Sequence, residues 1–212
     1  MSTLQLPSLL RIDSSARHQD SISRQLADGI ARAWQRTHPS GIVVTRDLAV
    51  APIPHIAAST IQGFYTPSDQ MTPELRSATA LSDQLIAELK GAHTLLISAP
   101  IYNFGVPSAL KAWIDHIVRI GHTFSYDGQQ FGGLVKGPRA VLALAYGAGG
   151  YADALAAMDH LRPYLTQLLT FLGMERIDVV SAEATTGDPA TLASNLATAQ
   201  AGIRRIFDLA GV

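Results

Sequence analysis

The sequence contains no cysteine in 212 residues. Disulfides, thiolate metal sites and cysteine nucleophiles are therefore excluded outright. Charge is also sparse: 16% of residues are Asp, Glu, Lys or Arg, and the formal net charge is −1. No run of lysines or arginines occurs, so binding to nucleic acid or to an anionic membrane surface has no support. No apolar run reaches the length that spans a bilayer. The stretch Met1–Asp13 lacks the basic and apolar regions of a secretory signal, and a cytoplasmic location is the expectation. The histidines show no ligand spacing with nearby carboxylates, so no metal site is expected.

What is present is a regular alternation. Apolar, β-branched runs at Ser8–Asp13, Ile42–Leu48, Leu95–Ala99, Arg139–Ala145 and Arg176–Ala182 read as strands. Helical periodicity fills the gaps. One helix carries Ile22, Leu26, Ile30, Ala33 and Trp34 on one face, and a second starts at Thr72-Pro73-Glu74 and runs to about Lys90. Pro107 opens a third, with Leu110, Trp113, Ile114, Ile117 and Val118 inward. A fourth restarts at Pro163 and ends at Gly173, and Asp188-Pro189 caps the last. Two stretches break the rhythm. Residues 123–137, with Asp127-Gly128 and Gly132-Gly133, suit a short hairpin. Residues 49–73 read as a long excursion whose Ile53, Ile56, Ile61, Phe64 and Tyr65 favour an interface. The pattern predicts one α/β domain over 1–212, a five-stranded parallel sheet of flavodoxin-like order 2-1-3-4-5 with helices on both faces.

In such a sheet the turns after the first, third and fourth strands meet at one edge. The first turn holds Ser14 and Ser15, then Ser21, Ile22 and Ser23 at a helix start, where free N–H groups and hydroxyls suit an anion. Ser21 could instead simply cap the helix, and Asp20 is an awkward neighbour for a phosphate. The second turn is Pro100, Ile101, Tyr102, Asn103 and Phe104, whose amide and aromatic planes suit a flat heteroaromatic ring; an ordinary strand-to-helix turn is the alternative. The third is Tyr146-Gly147-Ala148-Gly149-Gly150, where glycines allow close backbone approach. A phosphate cradle beside an aromatic slot describes FMN better than a dinucleotide, because no Gly-x-Gly-x-x-Gly follows the first strand.

These residues carry a family resemblance. Ser14-Ser15 with Ser21-Ile22-Ser23, Ala99-Pro100-Ile101-Tyr102-Asn103-Phe104, Leu110-Lys111, Asp115, Thr123–Tyr126, Gly133-Leu134-Val135, Pro163-Tyr164-Leu165 and Phe171-Leu172-Gly173 resemble the FMN-dependent NADH-azoreductases, relatives of the NAD(P)H:quinone oxidoreductases. The resemblance implies a flavodoxin-like homodimer with FMN at the subunit boundary, NADH or NADPH as donor, and quinones or azo compounds as acceptors. It assigns Ser15, Ser21, Ile22 and Ser23 to the phosphate and Pro100–Phe104 to the isoalloxazine with Asn103 on its polar edge; Tyr146, Gly147, Gly149 and Gly150 of the third turn are the remaining candidates for cofactor contact. Tyr126 and Phe171 match aromatics that line the substrate pocket, in part from the partner subunit. No side chain stands out as a catalytic acid or base. One departure is visible: many relatives read Ser-Arg-Gly-Gly where this chain has Ala145-Tyr146-Gly147-Ala148-Gly149-Gly150. A small flavodoxin-type electron carrier or a non-catalytic binding module is the competing reading, though near-neutral charge and length weigh against the carrier.

Overall fold

The computed structural model describes residues 6–207; residues 1–5, part of the stretch read as lacking a leader, and residues 208–212 lie outside the described residues. The sheet strands are β1 (Ser8–Asp13), β2 (Ile42–Asp47), β3 (Thr94–Pro100), β6 (Arg139–Ala145) and β7 (Ile177–Ala182), and a separate hairpin is formed by β4 (Phe124–Tyr126) and β5 (Phe131–Gly133). The helices are α1 (Ile22–Thr37), α2 (Ala58–Tyr65), α3 (Pro73–Gly91), α4 (Ser108–Ile117), α5 (Arg162–Phe171) and α6 (Pro189–Ile206). The five-stranded sheet is parallel with order β2-β1-β3-β6-β7, which is the expected 2-1-3-4-5 once the hairpin strands are set aside.

Side-chain parity along β3 explains the two covered faces. Leu96 packs with Leu9, Val141, Ala143 and Val180 against Leu26, Ile30 and Trp34 of α1 and Ile203 of α6. Leu95 and Ile97 point the other way, onto Leu85 and Leu89 of α3, Trp113 and Ile117 of α4 and Leu165 and Leu169 of α5. The β2 strand is the edge: Ile42, Val43 and Val44 remain exposed. Predicted caps hold at two helices, where Thr72 accepts from Leu75 N and Asp188 accepts from Ala190 N and Thr191 N. Pro107 stands one residue before α4 rather than within its first turn.

The 49–73 excursion departs from expectation, because Ala58–Tyr65 folds into α2. Gly63 permits this: a Cβ there would lie 2.5 Å from Thr79 Cγ2 of α3. Its apolar residues divide between interior and surface, with Ile53 buried and Ile61 and Tyr65 exposed.

Candidate functional site: a cleft at the carboxyl edge of the sheet

The first turn is built by hydrogen bonds that leave its helix end open. Ser14 N and Ser14 Oγ both donate to Ser98 O, at 3.0 and 2.7 Å, tying the end of β1 to β3. Ser15 is buried and its Oγ accepts from Arg17 N at 3.2 Å. Ser21 precedes α1, but its side chain accepts no hydrogen bond from the helix; its Oγ lies 3.3 Å from Ser23 Oγ instead. The N–H groups of Ile22, Ser23 and Arg24 therefore keep the unpartnered character of a first helical turn. No acidic side chain of that turn competes for them.

The turn is held from beneath by Arg24. Its two terminal nitrogens grip Asp47 at 2.6 and 2.8 Å, and Nη2 also donates to Ser15 O at 2.8 Å. That fork, helped by N–H groups of Ala49 and Val50, holds the Asp47 carboxyl down to about 2.

The second bend is a two-residue turn. Tyr102 N donates to Gly105 O and Gly105 N donates to Tyr102 O, with Asn103 at φ 48° and Phe104 at φ 68° between them. Positive φ at both central residues defines a type I′ turn, a conformation that costs a β-carbon-bearing residue about 1 kcal/mol or more. The Tyr102 hydroxyl accepts from Ala16 N at 3.3 Å, so the second bend touches the first across the cleft. Ile101 N is spent on Ala145 O, which leaves the Asn103 and Phe104 N–H groups at the tip without a backbone acceptor.

The third bend is laced to the one after β7. Thr185 N donates to Tyr146 O, Thr186 N to Gly147 O and Ala184 N to Ala148 O. Glu183 Oε2 accepts from Gly150 N at 2.7 Å and Tyr151 N at 3.0 Å. Gly150 sits at φ 93°, where a side chain would be strained.

A cleft of about 530 Å³ opens between these bends, within the size range of cofactor pockets. It is lined by Ser15, Ser21, Ile22, Ser23, Pro100, Ile101, Tyr102 and Gly147 among the residues singled out from sequence. Asn103, Phe104, Gly149 and Gly150 lie outside that lining, as do Tyr126 and Phe171. Tyr126 lies tilted against Phe131 with ring centroids 4.6 Å apart, and Phe171 meets Phe124 at 5.0 Å, so both belong to an aromatic cluster around the hairpin. Tyr146 turns its side chain into the core, where its hydroxyl donates to Asp159 Oδ2 at 3.1 Å. Burial first, and then the Asp159 charge, push that phenol far above its ordinary value, so it keeps its proton. The lining also includes Arg17, Asp20, Gln25, Thr185, Thr186 and Leu192, which were not assigned from sequence. Thr185 and Thr186 follow the fifth sheet strand at the same edge, a position that the strand-end rule covers. Among the described residues no group of three or more His, Cys, Asp or Glu is placed to hold a metal ion. His116 is a packing residue, buried with Nε2 3.0 Å from Pro54 O.

A parallel 2-1-3-4-5 sheet, with an open helix N-terminus and an aromatic bend facing one cleft at its carboxyl edge, defines a flavodoxin-type nucleotide-binding protein. A family model described as flavodoxin-like fold matches residues 7–206. An FMN-dependent NADH:quinone oxidoreductase of Xanthobacter autotrophicus is 56% identical over 176 residues, covering 82% of this chain and 85% of that protein. A protein of the same description from Pseudomonas putida is 43% identical over 175 residues, covering 82% and 86%. The chain belongs to this flavodoxin-like family of FMN-dependent NADH:quinone oxidoreductases. In fold it is similar to an azoreductase from Bacillus anthracis (TM-score 0.87, 20% identity, 95% of this chain and 99% of the other). An FMN complex of an FMN-dependent NADH-azoreductase from the same species gives TM-score 0.82 at 22% identity, covering 94% and 99%.

Proposed function

We propose that this protein is an FMN-dependent NADH:quinone oxidoreductase that also reduces azo compounds. The observation that carries the reading is the uncapped α1 N-terminus opening into the same cleft as the 100–102 bend. Bound FMN supplies two-electron transfer between a nicotinamide donor and a quinone or azo acceptor. The chain's own part is to hold and orient it. The N–H groups of Ile22 and Ser23, with the hydroxyls of Ser15, Ser21 and Ser23, bind the phosphate. Pro100, Ile101 and Tyr102 wall the slot for the ring system. Asn103 and Phe104, beyond the cleft lining, present N–H groups at the tip of the bend that would serve as donors toward the polar edge of a bound ring. Gly147, which lines the cleft, would let the third bend come close to the cofactor, with Gly149 and Gly150 shaping the bend behind it. Tyr146 holds its proton on Asp159 and takes no part in proton delivery; water or the Tyr102 hydroxyl serves.

The working unit is a cytoplasmic homodimer with the cleft at the subunit boundary. Supporting this, the hairpin exposes Phe131 (62%) and Tyr126 (48%), an aromatic pair that would be poorly placed facing water. In the dimer Tyr126 and Phe171 close the substrate pocket, in part across the boundary. No described helix is long and apolar enough to cross a membrane.

The test is steady-state oxidation of NADH and NADPH by protein loaded with FMN, with a quinone and an azo dye as acceptors. Saturable turnover with both acceptors and faster use of NADH are expected. Protein that takes up no flavin contradicts the assignment. Phe131→Glu is expected to shift the protein to monomer in light scattering and to lower turnover at least several-fold. A dimer unchanged by that charge would move the interface elsewhere.

A further inference from the structure

We propose that Asp20 sets how tightly the flavin phosphate is held, as a negative charge built into the rim of its cradle. This rests on the reading of the cleft as an FMN site. Asp20 lines the cleft and immediately precedes Ser21, Ile22 and Ser23, whose hydroxyls and N–H groups form the anion-binding end. It is exposed, and it takes part in none of the ion pairs among the described residues. Its charge is thus not cancelled locally.

The cations nearby leave no net positive charge for the phosphate. Arg24, on the same first turn, is gripped by Asp47 at 2.6 Å and stands 3.5 Å from Asp13, so its charge faces two carboxylates beneath the cradle. Among the described residues, Arg17 is the one basic residue lining the cleft and Asp20 the one acidic residue. Their sum toward the ligand is zero, while a phosphate monoester carries about −1.5 to −2 at neutral pH. Neutral donors and the helix end therefore do most of the gripping, with Asp20 opposing the phosphate and Arg17 assisting. The consequence is an FMN site that discriminates against unphosphorylated riboflavin less than its donor set allows.

The backbone indicates the clean variant. Asp20 sits at φ 54°, in the left-handed region, where Asn is as well tolerated as Asp. Asp20→Asn removes the charge and keeps both shape and turn. Fluorescence titration of the full-length protein with FMN and with riboflavin, at low and at high salt, reads the effect. Asp20→Asn is expected to tighten FMN about threefold to tenfold at low salt, the size of one partly screened charge acting on a multivalent anion, and to leave riboflavin unchanged. The gain should shrink as salt rises. Arg17→Gln should act in the opposite sense, again on FMN alone. If Asp20→Asn leaves FMN affinity unaltered, lowers it, or shifts both flavins equally, the proposal is overturned. If wild-type protein binds neither flavin, the reading of the cleft itself fails, which separates the two. Asp20→Gly, equally at ease at positive φ, repeats the test should the Asn variant fold poorly.

Discussion

Arg24→Ala is expected to lose about 2–3 kcal/mol of stability and at least about tenfold in FMN affinity, the second through the backbone it holds rather than through contact with the cofactor. The Arg24 side chain is 12% exposed, and its guanidinium makes a two-toothed contact with Asp47 and donates to Ser15 O at 2.8 Å. Breaking a fully buried pair costs about 3–5 kcal/mol, and an exposed one contributes about 0–1. Asp47 is 23% exposed, which places this pair between the limits. Asp13 keeps Arg11 at 2.9 Å, so the variant leaves one carboxylate short of a partner rather than two. With Ser15 O released, the serine turn loses its floor. Urea unfolding and flavin titration measure the two effects, and Arg24→Lys should restore the charge but not the fork. Full flavin affinity in Arg24→Ala would show that the turn stands without its tether.

The same pair sets an acid-sensitive limb. The Asp47 carboxyl falls from 3.8 to about 2 on folding, chiefly because Arg24 donates to it. Its folded value lies below its unfolded one. The stabilisation is therefore complete above about pH 4 and is lost as pH falls through about 2. Allowing for solvent near the group, the contribution is about 1–2 kcal/mol. Arg24→Ala and Asp47→Asn should both flatten the stability curve in that window; an unchanged slope would mean that other carboxylates carry it.

Much of this architecture is legible because each strand is short, apolar and separated from the next by a helical period. The order of the sheet follows from connection length and handedness rather than from any single residue. The α2 helix was not legible: Ser59, Thr60 and Gly63 are poor helix formers, and the segment coils because Gly63 lets it lie against Thr79. For the site, strand ends were enough to bring Ser15, Ser21–Ser23, Pro100–Tyr102 and Gly147 to one cleft. The inward turn of Tyr146 is legible in the same way. Ala140, Leu142, Leu144 and Tyr146 share one face of the strand, so parity alone sends the phenol into the core, while Ala145 lines the cleft. The type I′ turn at Asn103-Phe104 was not readable, since such turns usually carry glycine second and Phe104 gives no local sign of a left-handed backbone.

Gly133→Ala is expected to be the most damaging single methyl among the described glycines. A Cβ at Gly133 would stand 2.3 Å from Gly173 N, 2.4 Å from Gly173 Cα and 2.5 Å from Leu172 C. All three are backbone atoms, so nothing can rotate aside. Gly173, at φ 103°, ends α5 and returns the contact: its own Cβ would meet Gly133 C at 3.0 Å. Val135 N donates to Leu172 O at 2.8 Å, which clamps the hairpin onto that helix end, and Leu134 N donates to Thr123 O at 2.9 Å across the base of the hairpin itself. The methyl must therefore push the hairpin off α5, at about 2–3 kcal/mol. The aromatic cluster moves with it, because Phe124 and Phe131 touch Phe171 at 5.0 and 5.7 Å. Turnover with a quinone should fall with stability, since Tyr126 and Phe171 lose their mutual placement. Gly128→Ala in the same hairpin is the matched control. Its Cβ would meet nothing within 4 Å, and it bears only the strain of φ 97°, about 1 kcal/mol. Equal unfolding midpoints for the two variants would mean that the hairpin is free to lift, and that the backbone contact at Gly133 does not position the hairpin's aromatic cluster.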